Sequence, residues 1–80
     1  MNVDYNALAE QYAEYIRKYT GFHVDVTYVF NNDCYGMRVY KSNGEKAFML
    51  VAEEDLQEYS KSDKYMKDAA EYQAESFGLV

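Results

Sequence analysis

Asn43-Gly44 lies between two runs that alternate apolar and polar residues, and no other feature constrains the fold as tightly. Short hairpin turns need positive φ at one or more positions to match the twist of paired strands, and the Ser-Asn-Gly turn here holds the residues that adopt it at least cost. The hairpin it predicts joins CYGMRVYK to EKAFMLV. Upstream, Asn31-Asn32-Asp33 is a turn by composition, because short amide and carboxylate side chains bond their own backbone. It links GFHVDVTYVF to the same hairpin. Residues 21–51 therefore read as three short antiparallel strands joined in sequence, a meander.

In the first strand Phe22, Val24, Val26, Tyr28 and Phe30 alternate with His23, Asp25, Thr27 and Val29, and the even set is expected to face the core. In the second, Tyr35, Met37 and Val39 oppose Gly36, Arg38 and Tyr40. The third offers Phe48 and Leu50 against Ala47, Met49 and Val51, so both of its faces are apolar and its inward side stays open.

Helical patterns flank the strands. Over residues 4–19, Tyr5, Leu8, Tyr12, Tyr15, Ile16 and Tyr19 recur at three and four, which sets them on one stripe. Asn2 or Asp4 can cap the start, Gly21 can sit past the end, and Arg17 and Lys18 suit the negative end of the helix dipole. Residues 52–59 predict a short helix with Glu53, Glu54 and Asp55 in its first turn and Leu56 and Tyr59 as inward anchors. Residues 62–76 predict a longer one, capped by Ser60 or Ser62, with Asp63 completing a capping box if Ser60 is the cap. Tyr65, Met66, Ala69, Ala70, Tyr72, Gln73 and Phe77 cluster toward one side of it, and Gly78 ends it.

The fold class is α+β: a small three-stranded antiparallel meander sheet flanked by an N-terminal helix and by one short plus one long C-terminal helix. Residues 1–80 form a single acidic domain. Leu8, Ile16, Phe22, Val24, Val26, Phe30, Met37, Val39, Phe48, Leu50, Leu56, Met66 and Phe77 are its core candidates. A chain this short buries only about 60% of the surface it exposes unfolded, so a shallow surface site is expected in place of a deep cavity.

Catalytic chemistry finds little footing. Cys34 and the lone His23 fall at opposite ends of one hairpin, too far apart for a nucleophile–base pair. One Cys and one His cannot build a structural zinc site, and the loops lack the alternating oxygen ligands of a calcium loop. The four glycines are scattered, so there is no phosphate-cradling loop. The expectation is a protein that is not an enzyme and has no cofactor and no metal. His23 is expected to pair with Asp25 or a neighbouring strand. A single cysteine and the lack of any signal-like or membrane-spanning run predict the cytoplasm.

Charge points to a partner. The chain carries 14 acidic and 8 basic residues, a net −6, which disfavours direct binding to nucleic acid or to anionic membranes. Most of the surplus falls after residue 52, in Glu53, Glu54, Asp55, Glu58, Asp63, Asp68, Glu71 and Glu75 against Lys61, Lys64 and Lys67. Carboxylates four apart rise about 6 Å along a helix, close to the spacing of phosphates along a nucleic-acid strand. The predicted contact set is Glu53, Glu54, Asp55, Glu58, Asp68, Glu71 and Glu75, with Tyr59 and Tyr72 as aromatic anchors. Tyr65 beside them, and Tyr5, Tyr12 and Tyr19 on the first helix, offer further contact area, since ten tyrosines exceed what so small a core can use.

The helix–three strands–helix order resembles a double-stranded RNA-binding domain, but Ser62, Asp63 and Lys64 open the last helix where that family carries a basic cluster. In size, acidity and organisation the chain is similar to the small acidic phage-encoded anti-CRISPR proteins. That resemblance implies a DNA mimic that blocks the DNA or PAM site of a CRISPR effector in a host cytoplasm. The predicted partner is thus a basic protein surface, a nucleic-acid-binding groove. The alternative is a structural or regulatory homodimer, formed through the second sheet face or the tyrosine-rich first helix.

Overall fold

The computed structural model describes residues 3–29 and 33–80. The chain forms α1 (Tyr5–Thr20), β1 (His23–Val29), β2 (Cys34–Tyr40), β3 (Lys46–Ala52), α2 (Glu53–Tyr59) and α3 (Asp63–Ser76). The strands lie in the order β1-β2-β3 with both neighbours antiparallel, so the α+β meander stands as predicted. Phe30, the Asn31-Asn32 part of the first turn and the Asn2 cap lie outside the described residues.

Local signals account for the helix ends. Asp4 caps α1, its Oδ1 accepting from the Ala7 amide at 3.0 Å. Gly21 follows α1 in the left-handed region, and its amide donates to the Arg17 carbonyl at 2.8 Å. Ser62, not Ser60, caps α3 by accepting from the Tyr65 amide at 3.2 Å, so the capping box with Asp63 does not form. No side chain caps α2; its first turn holds Glu53, Glu54 and Asp55, which the helix dipole favours there.

The core lies between one sheet face and the helices. Register sets that face: Val24 lies opposite Val39 and Val39 opposite Ala47, while Val26, Met37 and Met49 form the next row. α1 packs on β1, α2 on β3, and α3 on both other helices. Ala9, Ala13, Ala70 and Ala74 are all fully buried, and side chains this small let α1 and α3 approach closely.

Three expected core residues lie outside it. Met49 and Val51 are the inward side chains of β3, which leaves Phe48 and Leu50 on the outer face, each 48% exposed. The outer face also carries His23, Asp25, Thr27 and Arg38, all exposed, and among the described residues no helix is packed over it. Gly36 lies opposite Leu50 in this face, and the Phe48 ring sits so close above it that a Cβ would overlap the ring. The third residue, Phe77, is half exposed because the chain turns at Gly78 (φ 71°). There the Leu79 amide donates to the Ala74 carbonyl at 2.9 Å and the Gly78 amide to Glu75 at 3.0 Å, a Schellman turn that sends Leu79 inward instead. Tyr28, expected inside, is 43% exposed at the end of β1, where its hydroxyl reaches Asp33 at 3.3 Å.

Each outer strand has a backbone carbonyl occupied by a helix side chain. Arg17 donates through Nη2 and Nε to the Val24 carbonyl of β1 at 2.6 and 3.2 Å. Gln73 donates through Nε2 to the Leu50 carbonyl of β3 at 3.3 Å.

Candidate functional site: a tyrosine-lined cleft

Tyr65, Ala69, Tyr72, Gln73 and Ser76 recur along α3 at helical spacing, which puts them on one flank. That flank faces α2 and β3 across a cleft of about 330 Å³, whose other walls are Tyr12, Leu50, Val51, Asp55 and Tyr59. Tyr12 forms the floor. Its ring is buried and stacks on Tyr59, with centroids 5.8 Å apart and planes 13° from parallel. Tyr65 meets the same Tyr59 ring edge-on at 5.3 Å. Edge-on and offset aromatic pairs of this kind add to the area they bury.

The floor satisfies its own polar groups. The Tyr12 hydroxyl donates to Gln73 Oε1, with the Ala69 carbonyl at 3.4 Å, and Gln73 turns its Nε2 to Leu50. Burial, then Tyr59 and Asp55, push the Tyr12 phenol well above the usual tyrosine range. Burial, then Asp55 and Tyr65, raise Tyr59 as well. The rim is different. Among the described residues, neither the Asp55 carboxylate nor the hydroxyls of Tyr59, Tyr65 and Tyr72 has a hydrogen-bond partner, and no lysine or arginine lines the cleft. Tyr72 is 72% exposed and makes no ring contact among those residues.

The predicted contact residues fall into three groups. Asp55, Tyr59 and Tyr72 come together in the cleft. Glu53 and Glu54 line a neighbouring shallow hollow with Tyr5, Asp33 and Ala52; Glu53 also accepts from the Tyr28 hydroxyl at 3.5 Å. The rest are engaged within the chain. Glu58 pairs with Lys61 at 2.9 Å, Asp68 with Lys64 at 2.7 Å and Glu71 with Lys67 at 2.8 Å. The Lys64 hydrogen bond lowers the Asp68 carboxyl below its ordinary value, and the Glu71 hydrogen bond raises Lys67. Glu75 accepts from the Tyr19 hydroxyl at 2.6 Å, which ties it to α1.

Of the acidic set on α2 and α3, then, Glu58, Asp68 and Glu71 are ion-paired within the chain and Glu53, Glu54 and Asp55 are not, among the described residues. Asp68 lies three after Tyr65 and four before Tyr72 and so borders the same side of α3 as those rings, while Glu75 is tied to α1 through Tyr19. Tyr12, counted among the interface tyrosines, is a core residue. Leu50, Gln73 and Ser76 were not foreseen at the site; the stripe of Tyr65, Ala69, Tyr72, Gln73 and Ser76 is the sequence signal that places the last two.

Other expected chemistry can be placed as well. His23 Nε2 lies 2.7 Å from Asp25 Oδ1 on the outer sheet face. It pairs across the ladder with Tyr40, at the far end of β2 from buried Cys34, which leaves roughly 20 Å between the two at strand rise. Among the described residues no three His, Cys, Asp or Glu side chains converge on a metal-sized site, and no helix is long and apolar enough to cross a membrane. No family model, curated protein or solved structure matches the chain.

Proposed function

We propose that this protein is a non-enzymatic acidic inhibitor that acts in the cytoplasm by binding a basic, nucleic-acid-handling protein. It competes with nucleic acid for that partner's cationic groove. The observation that carries the reading is the first turn of α2, where Glu53, Glu54 and Asp55 are consecutive and none takes part in an ion pair among the described residues. Three adjacent uncompensated carboxylates keep a concentrated field that steers a cationic partner from a distance. The tyrosine-lined cleft beside them supplies the rigid aromatic area on which binding energy concentrates. The resemblance to anti-CRISPR proteins supplies a specific candidate target, the DNA or PAM site of a CRISPR effector.

The test is capture from a cell lysate, elution with a salt gradient, and competition on the captured protein with duplex DNA or RNA. The expected result is one basic protein, released by salt and displaced by nucleic acid. Replacing Glu53→Gln and Glu54→Gln together should weaken that binding about tenfold, as for two exposed ion pairs. Binding unchanged by salt, by nucleic acid and by the double variant overturns the reading. The outer sheet face favours a second one. Phe48 and Leu50 stand half exposed on a face over which no helix is packed among the described residues, which suits a face-to-face homodimer that light scattering would detect even at high salt.

A further inference from the structure

We infer that the cleft between α2, α3 and β3 is a pocket for a single arginine side chain of a basic polypeptide. This deepens the proposed function, on which its biological meaning rests, but its chemistry is carried by the cleft itself. The volume, about 330 Å³, lies at the lower end for small-molecule pockets and suits one long side chain better than a folded element.

The groups that have no partner among the described residues select the ligand. Asp55 is an acceptor only, and the hydroxyls of Tyr59, Tyr65 and Tyr72 can each accept from an incoming donor. A ligand that complements them is cationic and rich in donors. The exposed ring of Tyr72 offers a face without a partner, and a cation over such a face is drawn by the ring's quadrupole. Guanidinium meets both demands: it is flat enough to stack on a ring and carries donors in a fork that matches a carboxylate. An ammonium group has the charge without the plane. Anions are disfavoured by the Asp55 carboxylate, which lines the cleft with no lysine or arginine beside it. Asp55 is also free of the lysines that occupy Glu58, Asp68 and Glu71, so its charge remains available.

The floor explains why the ligand would enter as an extended side chain. Gln73 locks Tyr12 to the Leu50 carbonyl, so the bottom of the cleft is closed by a satisfied polar bridge between apolar walls. The aliphatic stem of arginine can lie along Leu50 and Ala69 while its head stays at the rim with Asp55 and Tyr72.

The test uses Nα-acetyl-arginine N-methylamide as probe, with the citrulline and lysine analogues as controls, followed by NMR of the intact chain. The expected result is saturable shifts confined to Asp55, Tyr59, Tyr65, Tyr72 and Gln73, with weak millimolar affinity for arginine and several-fold less for lysine. The neutral citrulline analogue should give no saturation. Asp55→Asn should weaken arginine about tenfold and Tyr72→Ala about threefold, both side chains being exposed and outside the core. Equal binding of citrulline, equal binding of lysine, or a response that Asp55→Asn leaves unchanged overturns the proposal. The two readings fail separately. If the arginine probe does not bind while the Glu53→Gln/Glu54→Gln variant still loses the captured partner, the pocket is wrong and the inhibitor reading stands. If the probe binds as described and no basic partner responds to the α2 charges, the reverse holds.

Discussion

α2 carries Glu53, Glu54 and Asp55 in its first turn, and no lysine or arginine lies within four residues of any of them. α3 interleaves its charges, Lys64 four before Asp68 and Lys67 four before Glu71, and both pairs close in the structure. α2 is seven residues long, has no side-chain cap and is anchored by one fully buried residue, Leu56. α3 runs for 14, is capped by Ser62, ends in a Schellman turn and buries Met66, Ala70 and Ala74. The lesson is that acidity counted along a chain is not acidity available to a partner. The longer helix neutralises much of its own charge and belongs to the frame, while the shorter one keeps its field and is held lightly.

The hardest blow to this contrast would come through Leu56. Leu56→Ala should cost about 2–5 kcal/mol, because the side chain is wholly buried and α2 has no other anchor of its kind. Denaturant melts would give the loss, and hydrogen exchange should find α2 amides opening well before those of α3. Uniform opening of both helices would mean that they form one unit and that the contrast is false.

Tyr12, where α1 meets both of these helices, sharpens the contrast through pH. Its folded value is raised above the roughly pH 10 at which an unfolded tyrosine loses its proton. Above that pH the native state holds more protons than the unfolded one, so stability is full below about pH 10 and falls as pH rises beyond it. Tyr59, Tyr19, Tyr28 and Tyr35 are shifted in the same direction and add to the slope. Urea midpoints between neutral and strongly alkaline pH should show this. Tyr12→Phe should flatten the alkaline fall and cost about 1 kcal/mol at neutral pH through the hydrogen bond lost to Gln73. An unchanged slope in the variant would remove Tyr12 from the account.

The smallest effect is expected on the surface of α3. Lys64→Ala and Lys67→Ala together break two ion pairs of exposed lysines, and the melting temperature should stay within error. The same variant frees Asp68 and Glu71 and should tighten binding to a basic partner. A large loss of stability, with no gain in binding, would show that these pairs hold the fold and that their carboxylates were never screened from a partner.

Much of the fold was legible because the relevant signals are local. Asn43-Gly44 and the alternation of β1 fix the meander, and Asp4, Gly21 and Gly78 mark helix ends by their own backbone chemistry. The inward face of β3 was not legible, since Phe48 and Leu50 are as apolar as Met49 and Val51 and only the register with β2 decides between them. Ala9, Ala13 and Ala74 were missed because alanine suits water and core alike; their role emerges only where two helices meet. At the site, spacing alone would have shown that Lys64 and Lys67 sit four before Asp68 and Glu71. The cleft itself joins Tyr12, Asp55 and Tyr72 from three helices, and no local pattern connects them.

A small sheet with two open rims invites further strands, which is how many compact β-containing chains come to grow into fibres. Here Arg17 and Gln73 each act as a stopper on one rim, filling the Val24 and Leu50 acceptors that an arriving strand would need. A strand arriving at either rim would have to displace one of these side chains first. Since Gln73 also floors the cleft, one side chain ties the rim of the sheet to the wall of the cleft, and a change there would disturb both.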